Sequence, residues 1–171
     1  MMIRPYRSDD WPRLCAIHDR ARMDELRRAG LADAFLPLDV AAERENLFAY
    51  ELLVAEEDGI AVGFAAHGPE ELAWLYVAPE CYRKGIGVRL VRAALEACPT
   101  GLSVEVLRGN DAALNLYKSL GFVESGVHSG AMPGNEQYAV SVHCLVYAGD
   151  ARRPDGESRA IPRPGKLRRA Q

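Results

Sequence analysis

The chain has 171 residues, 49% of them apolar and 26% charged, and a formal net charge of −3; this suits one domain with a sizeable core and excludes collagen-like, disulfide-framework and disordered chains. No apolar run approaches the roughly 20 residues of a membrane span, and Met1-Met2-Ile3-Arg4-Pro5 shows no leader-like apolar core. The four scattered cysteines, Cys15, Cys81, Cys98 and Cys144, form no metal-ligand spacing and read as free thiols in a reducing cytoplasm.

Ile3 to Arg7 reads as a first strand, and Ser8 as the N-cap of a helix with Asp9 and Asp10 in its first turn and Pro12 tolerated there. Trp11, Leu14, Ile17, His18 and Ala21 recur at helical spacing, and Gly30 breaks the pattern. Leu31 to Leu38 is irregular. Asp39 can cap a second helix running towards Tyr50, with Val40, Leu47 and Phe48 as core candidates. Leu52 to Ala55 and Ile60 to Ala66 flank Glu56-Glu57-Asp58-Gly59 and predict a hairpin. Leu72 to Val77 is the next strand. A helix from Val88, with Val88, Val91, Leu95 and Cys98 on one side, stops before Pro99. Leu102 to Leu107 is a strand, and Asp111 to Leu120 a helix ended by Gly121 as a left-handed cap. Phe122 to Ser129 and Tyr138 to Val146 are two more strands, joined through Met132-Pro133-Gly134-Asn135. The order β-α-α-β-β-β-α-β-α-β-β predicts a single-domain mixed α/β fold, its sheet mostly antiparallel, with helices on both faces.

Charge is unevenly spread. Residues 148–171 hold seven Arg/Lys against three Asp/Glu, leaving 14 basic and 21 acidic side chains before them. The acidic body suits a cationic amine partner. The stretch 149–171 has three prolines, few large apolar residues and no interleaved aromatics. It reads as a flexible basic extension of a domain at 1–148 rather than a nucleic-acid-binding arm.

The most informative segment runs from Leu75 to Gly87, Leu-Tyr-Val-Ala-Pro-Glu-Cys-Tyr-Arg-Lys-Gly-Ile-Gly. A strand, a basic glycine turn and a helix start in series make an anion site, because unpaired amides of the first helical turn point at the ligand and the glycines let it approach. Arg83 and Lys84 add positive charge there. The segment lacks both the phosphate-binding loop with Gly-Lys-Ser/Thr and the full Gly-x-Gly-x-x-Gly fingerprint of nucleotide sites. Just over twenty residues later comes Asn110-x-x-Ala113-x-x-Leu116-Tyr117-x-x-x-Gly121-Phe122, preceded by the strand-like Leu102-Ser103-Val104-Glu105-Val106.

Together, in this order and at this spacing, the two segments resemble the GNAT superfamily of acyl-CoA-dependent N-acetyltransferases. The resemblance covers residues 3–147 and is strongest from Leu72 to Phe122. It implies that strands 72–77 and 102–107 splay apart with the acyl-CoA pantetheine between them. It further implies that main-chain groups of Leu75, Tyr76 and Val77 bind the pantetheine, and that amides from Arg83 through Lys84, Gly85, Ile86 and Gly87 to Val88 hold the pyrophosphate. Tyr82 stands where the family commonly has Gln or Arg, and main-chain binding does not depend on that side chain.

Tyr117 occupies the place of the tyrosine that protonates the leaving CoA thiolate in many members. Asn110 would contact the cofactor or simply cap its helix. The general base stays open. Glu105 leads, since Val-Glu-Val resembles the Leu-Glu-Val of ribosomal-protein N-terminal acetylases. Glu71 and His67 follow, and a water wire without a dedicated base is the alternative. Each of these has a plain structural reading as a packed or salt-bridged residue. Trp74 and Tyr138 can line an acceptor pocket or pack as core aromatics, and Gly134-Asn135-Glu136 can contact the substrate or shape a hairpin.

The implied activity is transfer of an acetyl group from acetyl-CoA, as co-substrate, to a primary amine by direct attack, without a metal. The alternative is a non-catalytic acyl-CoA-binding sensor on the same fold. The expected partner is an amine on a small molecule or peptide, not nucleic acid or membrane. A homodimer is compatible with this reading.

Overall fold

Pro5 ends the first strand, β1 (Met2–Pro5), because its ring removes a ladder donor. The computed structural model describes residues 1–147, and the basic extension at 149–171 lies outside them. A 3-10 turn at Ser8–Asp10 leads into α1 (Trp11–Arg28). Asp10, not Ser8, organises this start. Its carboxylate accepts the Arg7 amide at 2.8 Å and both Nη atoms of Arg4 at 2.8 and 2.7 Å. α1 buries Leu14, Ile17, His18, Ala21 and Leu26, the face its periodicity indicates.

α2 (Leu38–Arg44) is shorter than expected, because Asn46 enters the left-handed region at φ 55° and a 3-10 turn, Leu47–Ala49, replaces the helix. Leu47 is fully buried, but Val40 is only half-buried and Phe48 is 59% exposed. The Phe48 ring lies over Tyr6 and Trp11 at the surface, with centroids 6.0 and 5.2 Å apart. It therefore shields neighbours without entering the core.

β2 (Glu51–Glu57) and β3 (Ile60–His67) form the hairpin, turning on Asp58 and Gly59 at φ 52° and 78°. Two successive left-handed residues give the twist that two-residue hairpins favour. β4 (Leu72–Val77) completes an antiparallel sheet of order β1-β2-β3-β4. β5 (Leu102–Leu107), β6 (Val123–Met132) and β7 (Asn135–Tyr147) form a second antiparallel sheet of order β5-β7-β6.

One isolated parallel bridge, Glu71 to Ser103, joins β4 to β5, and the two sheets part beyond it. The result is the mixed α/β domain expected, split where the two motif-bearing strands diverge.

α3 (Ile86–Ala97) begins two residues earlier than expected and buries Ile86, Leu90, Val91 and Ala94. Val88 and Leu95 are only half-buried, so the core stripe is rotated from the one read in the sequence. α4 (Asp111–Ser119) is capped by Asn110, whose Oδ1 accepts the Ala113 amide at 3.2 Å, and Gly121 closes it at φ 92°.

β4 serves both faces. Trp74 and Tyr76 meet the His18 ring of α1 at 5.9 and 4.7 Å. Leu75 and Val77 point to α3, where a Cβ on Gly87 would lie 4.0 Å from each.

Candidate active site

The loop after β4 is shaped for an anion. Pro79–Cys81 form a 3-10 turn, Arg83 stands at φ 65°, and Gly85 at φ 78° caps α3. The first bond of this helix runs from the Arg89 amide to the Gly85 carbonyl at 3.2 Å. The amides of Ile86, Gly87 and Val88 therefore precede the ladder and face outward with the helix dipole. Arg83, Lys84 and Gly85 are exposed, so positive charge and free amides share one opening. A Cβ on Gly87 would sit 3.0 Å from Leu116 Cδ1, so the helix start and α4 pack closely there and a side chain would require Leu116 to shift.

Main-chain groups of β4 divide between its neighbours. The Ala78 amide donates to the Val62 carbonyl at 2.9 Å. With Phe64 opposite Tyr76, alternation sends the Tyr76 backbone to β3 and leaves Leu75 and Val77 facing the gap towards β5. Of the three residues expected along a pantetheine, two offer backbone groups there. Tyr76 offers its ring to the opposite face.

On that face a cavity of about 130 Å³ lies between α1, α2, β4, β5 and the β6–β7 turn. Four carboxylates line it, Glu25, Glu45, Glu71 and Glu105, with Arg22, His18, Trp74 and Tyr76. Strand alternation puts Ser103, Glu105 and Leu107 on the cavity side of β5. Tyr50 donates its hydroxyl to Glu71 Oε1 at 2.6 Å, and Arg22 Nη1 donates to Glu25 Oε2 at 2.6 Å. Burial holds His18 neutral to lower pH than usual, the Asp19 hydrogen bond only partly opposing it. The cavity is thus acidic, with one guanidinium among its carboxylates.

Tyr117 is buried with its ring T-shaped against Phe122, centroids 5.2 Å apart. It does not line the cavity. Burial, and then the charge of Glu25 and the Tyr76 phenol, push its pKa well above the ordinary tyrosine value. Its hydroxyl therefore stays protonated. Its neighbour Leu116 touches the start of α3, so α4 packs beside the anion loop.

The structure thus gathers Glu105, Glu71 and Trp74 at the cavity but not His67 or Tyr138. His67 is buried with Nδ1 3.4 Å from Cys98 Sγ, away from the opening. Tyr138 donates its hydroxyl to the Asp33 carbonyl at 2.8 Å and packs beside Leu26 and Met132. Gly134 and Asn135 pin the hairpin to the helical side. Arg44 donates to the Gly134 carbonyl at 2.9 Å, and Asn135 Nδ2 to the Ala34 carbonyl at 3.0 Å. Arg22 and Glu25 were not singled out in the sequence. Charged positions along α1 look like a solvated face, and only the partner elements show that these two turn inward.

The chain is similar in sequence and fold to known acetyltransferases. The family model for the acetyltransferase (GNAT) domain matches residues 49–124. The phosphinothricin N-acetyltransferase of Alcaligenes faecalis is 28% identical over 142 residues, 73% of this chain and 71% of the relative. The peptidyl-lysine N-acetyltransferase YiaC of Escherichia coli (strain K12) is 39% identical over 70 residues, 40% of this chain; the match spans about half of that relative, 47%. Among solved structures, a GNAT superfamily phosphinothricin acetyltransferase from Sinorhizobium meliloti, in complex with AcCoA, superposes with a TM-score of 0.67. It covers 99% of this chain and 98% of its own at 16% identity, which speaks for the fold.

Proposed function

Taking as premise that this chain belongs to the GNAT superfamily of N-acetyltransferases, we propose that it transfers the acetyl group of acetyl-CoA to a primary amine by direct attack. The observation that carries this reading is the two-sidedness of β4. A basic, amide-lined loop opens at its end, an acidic cavity lies on its α1 face, and the buried Tyr117 lies within electrostatic reach of Glu25 in that cavity.

Amides of Ile86, Gly87 and Val88, with Arg83 and Lys84, would hold the pyrophosphate, and Leu75 and Val77 would pair with the pantetheine through main-chain groups. The free amides, the positive φ of Gly85 and the close packing at Gly87 fit such a ligand. The carboxylates of the cavity would attract an ammonium acceptor. Glu105 would take its proton, directly or through water, so that the neutral amine can attack the thioester carbonyl. As the nitrogen–carbon bond forms and the carbon–sulfur bond breaks, Tyr117 would give its phenolic proton to the departing thiolate. Asn110 would serve this step by capping the helix that carries Tyr117. Holding both partners in one cleft supplies much of the rate.

The relatives named for phosphinothricin and for peptidyl-lysine both act on amines, and the cavity volume suits an amine-bearing side chain or small molecule. A panel of L-amino acids, phosphinothricin, diamines and lysine peptides, read by CoA release from acetyl-CoA, tests the proposal. Turnover of at least one amine, absent with acetyl-CoA alone, is expected. Tight acetyl-CoA binding without turnover of any amine would instead mark a non-catalytic binding module.

A further inference from the structure

We propose that Glu25 is a positioning residue that ties the acceptor cavity to the helix carrying Tyr117, acting through Asn110. The two carboxylate oxygens of Glu25 are divided between two tasks. Oε2 accepts from Arg22 Nη1 at 2.6 Å in the cavity wall, and Oε1 accepts from Asn110 Nδ2 at 3.0 Å. Asn110 is itself divided, since its Oδ1 caps α4 through the Ala113 amide at 3.2 Å. An unbroken chain therefore runs Arg22–Glu25–Asn110–α4, and Tyr117 lies two turns into that helix.

A second contact docks the same turn on α1. Gly109 stands at φ 100°, and a Cβ there would lie 3.3 Å from the Arg28 carbonyl and 3.4 Å from Ala29 Cα. The β5–α4 turn thus rests on the end of α1, and Glu25 fixes its rotation. The Glu25 side chain is only 16% exposed, so losing its partner leaves a poorly hydrated charge rather than a loose surface contact.

The inference rests on the acetyl-transfer reading with Tyr117 as acid, and its tests separate the two. Asn110→Asp keeps the cap but cannot donate to Glu25 and places like charges together. Pairing it with Glu25→Gln restores one bond with reversed polarity, since Gln Nε2 can donate to Asp Oδ2. With the best amine of the panel, Asn110→Asp is expected to lower kcat at least tenfold with acceptor KM and acetyl-CoA affinity within about threefold. The double variant should recover most of that loss. On a Tyr117→Phe background, Asn110→Asp should cost no further kcat, because both changes act on one proton transfer.

Independent losses that multiply, or a double variant no better than Asn110→Asp, would overturn the proposal. An acceptor-free arm stands alone. Amide exchange of α4 should quicken in Asn110→Asp and return in the double variant, while the β2–β3 hairpin is unchanged. Unaltered α4 exchange overturns the proposal even where no amine is turned over, an outcome that by itself would count only against the acetyl-transfer reading.

Discussion

The amide and the hydroxyl of Ser103 both donate to the Glu70 carbonyl, at 2.8 and 3.0 Å. This pair of hydrogen bonds to one acceptor fastens β5 to the approach of β4, beside the isolated Glu71–Ser103 bridge. From this vertex the strands open, with Leu75 and Val77 on one side of the gap and Glu105 on the other. The width of the cleft is therefore set at a point remote from the anion loop.

Gly85 and Gly87 separate two physical requirements of that loop. Gly85 stands at positive φ, and Gly87 packs closely against the Leu116 side chain. Gly85→Asp adds backbone strain of about 1–2 kcal/mol and a negative charge beside the phosphates. Acetyl-CoA affinity by calorimetry should fall at least tenfold, with the far-ultraviolet spectrum retained. Unchanged affinity in a folded Gly85→Asp protein would place the phosphates elsewhere.

Tyr117→Phe removes one hydroxyl and keeps the ring against Phe122. If the phenol supplies the proton, kcat should fall by about 10²–10⁴-fold while acetyl-CoA affinity stays near that of the wild type. A kcat within twofold, with the chemical step rate-limiting, would assign protonation of the sulfur to another group or to water.

Glu105 and Glu71 can be told apart by what else each holds. Glu71 accepts from Tyr50, whose pKa burial and this bond raise. Glu71→Gln should therefore act mainly on acceptor KM. Glu105→Gln should lower kcat by about 10²-fold or more and abolish the acidic limb of the pH–rate profile. Retention of that limb in Glu105→Gln would exclude Glu105 as the base.

Arg4 is buried and holds Asp10 by two bonds and Glu56 by one of 2.6 Å. Arg4→Ala leaves two carboxylates without their cation and should cost about 3–5 kcal/mol in urea unfolding. The Arg4 hydrogen bonds hold the Asp10 pKa below its ordinary value. A carboxylate depressed in the folded state contributes stability above its unfolded pKa of about 3.9, and that contribution is lost as pH falls through the folded value. The stability gap between wild type and Asp10→Asn should therefore be full near neutrality and shrink below about pH 4. A gap that stays constant down to pH 2 would show that Asp10 does not act through its charge.

Much of the fold was legible in one dimension because its signals are local. Leu72–Val77 and Leu102–Leu107 are strands over the residues expected, Asp58-Gly59 turns the hairpin, and Asn110 and Gly121 bracket α4. Each follows from periodicity, a cap or a positive φ, which neighbouring residues alone can set. The glycine loop was legible for the same reason. The tertiary structure decided the rest, because burial depends on partners distant in sequence. It turned Arg22 and Glu25 of α1 inward, left Phe48 at the surface, and sent His67 to Cys98 rather than to the cavity. Above all it brought Glu25 to Asn110, 85 positions away along the chain. No helical period encodes that contact, because it joins the end of α1 to the start of α4 across elements far apart in sequence.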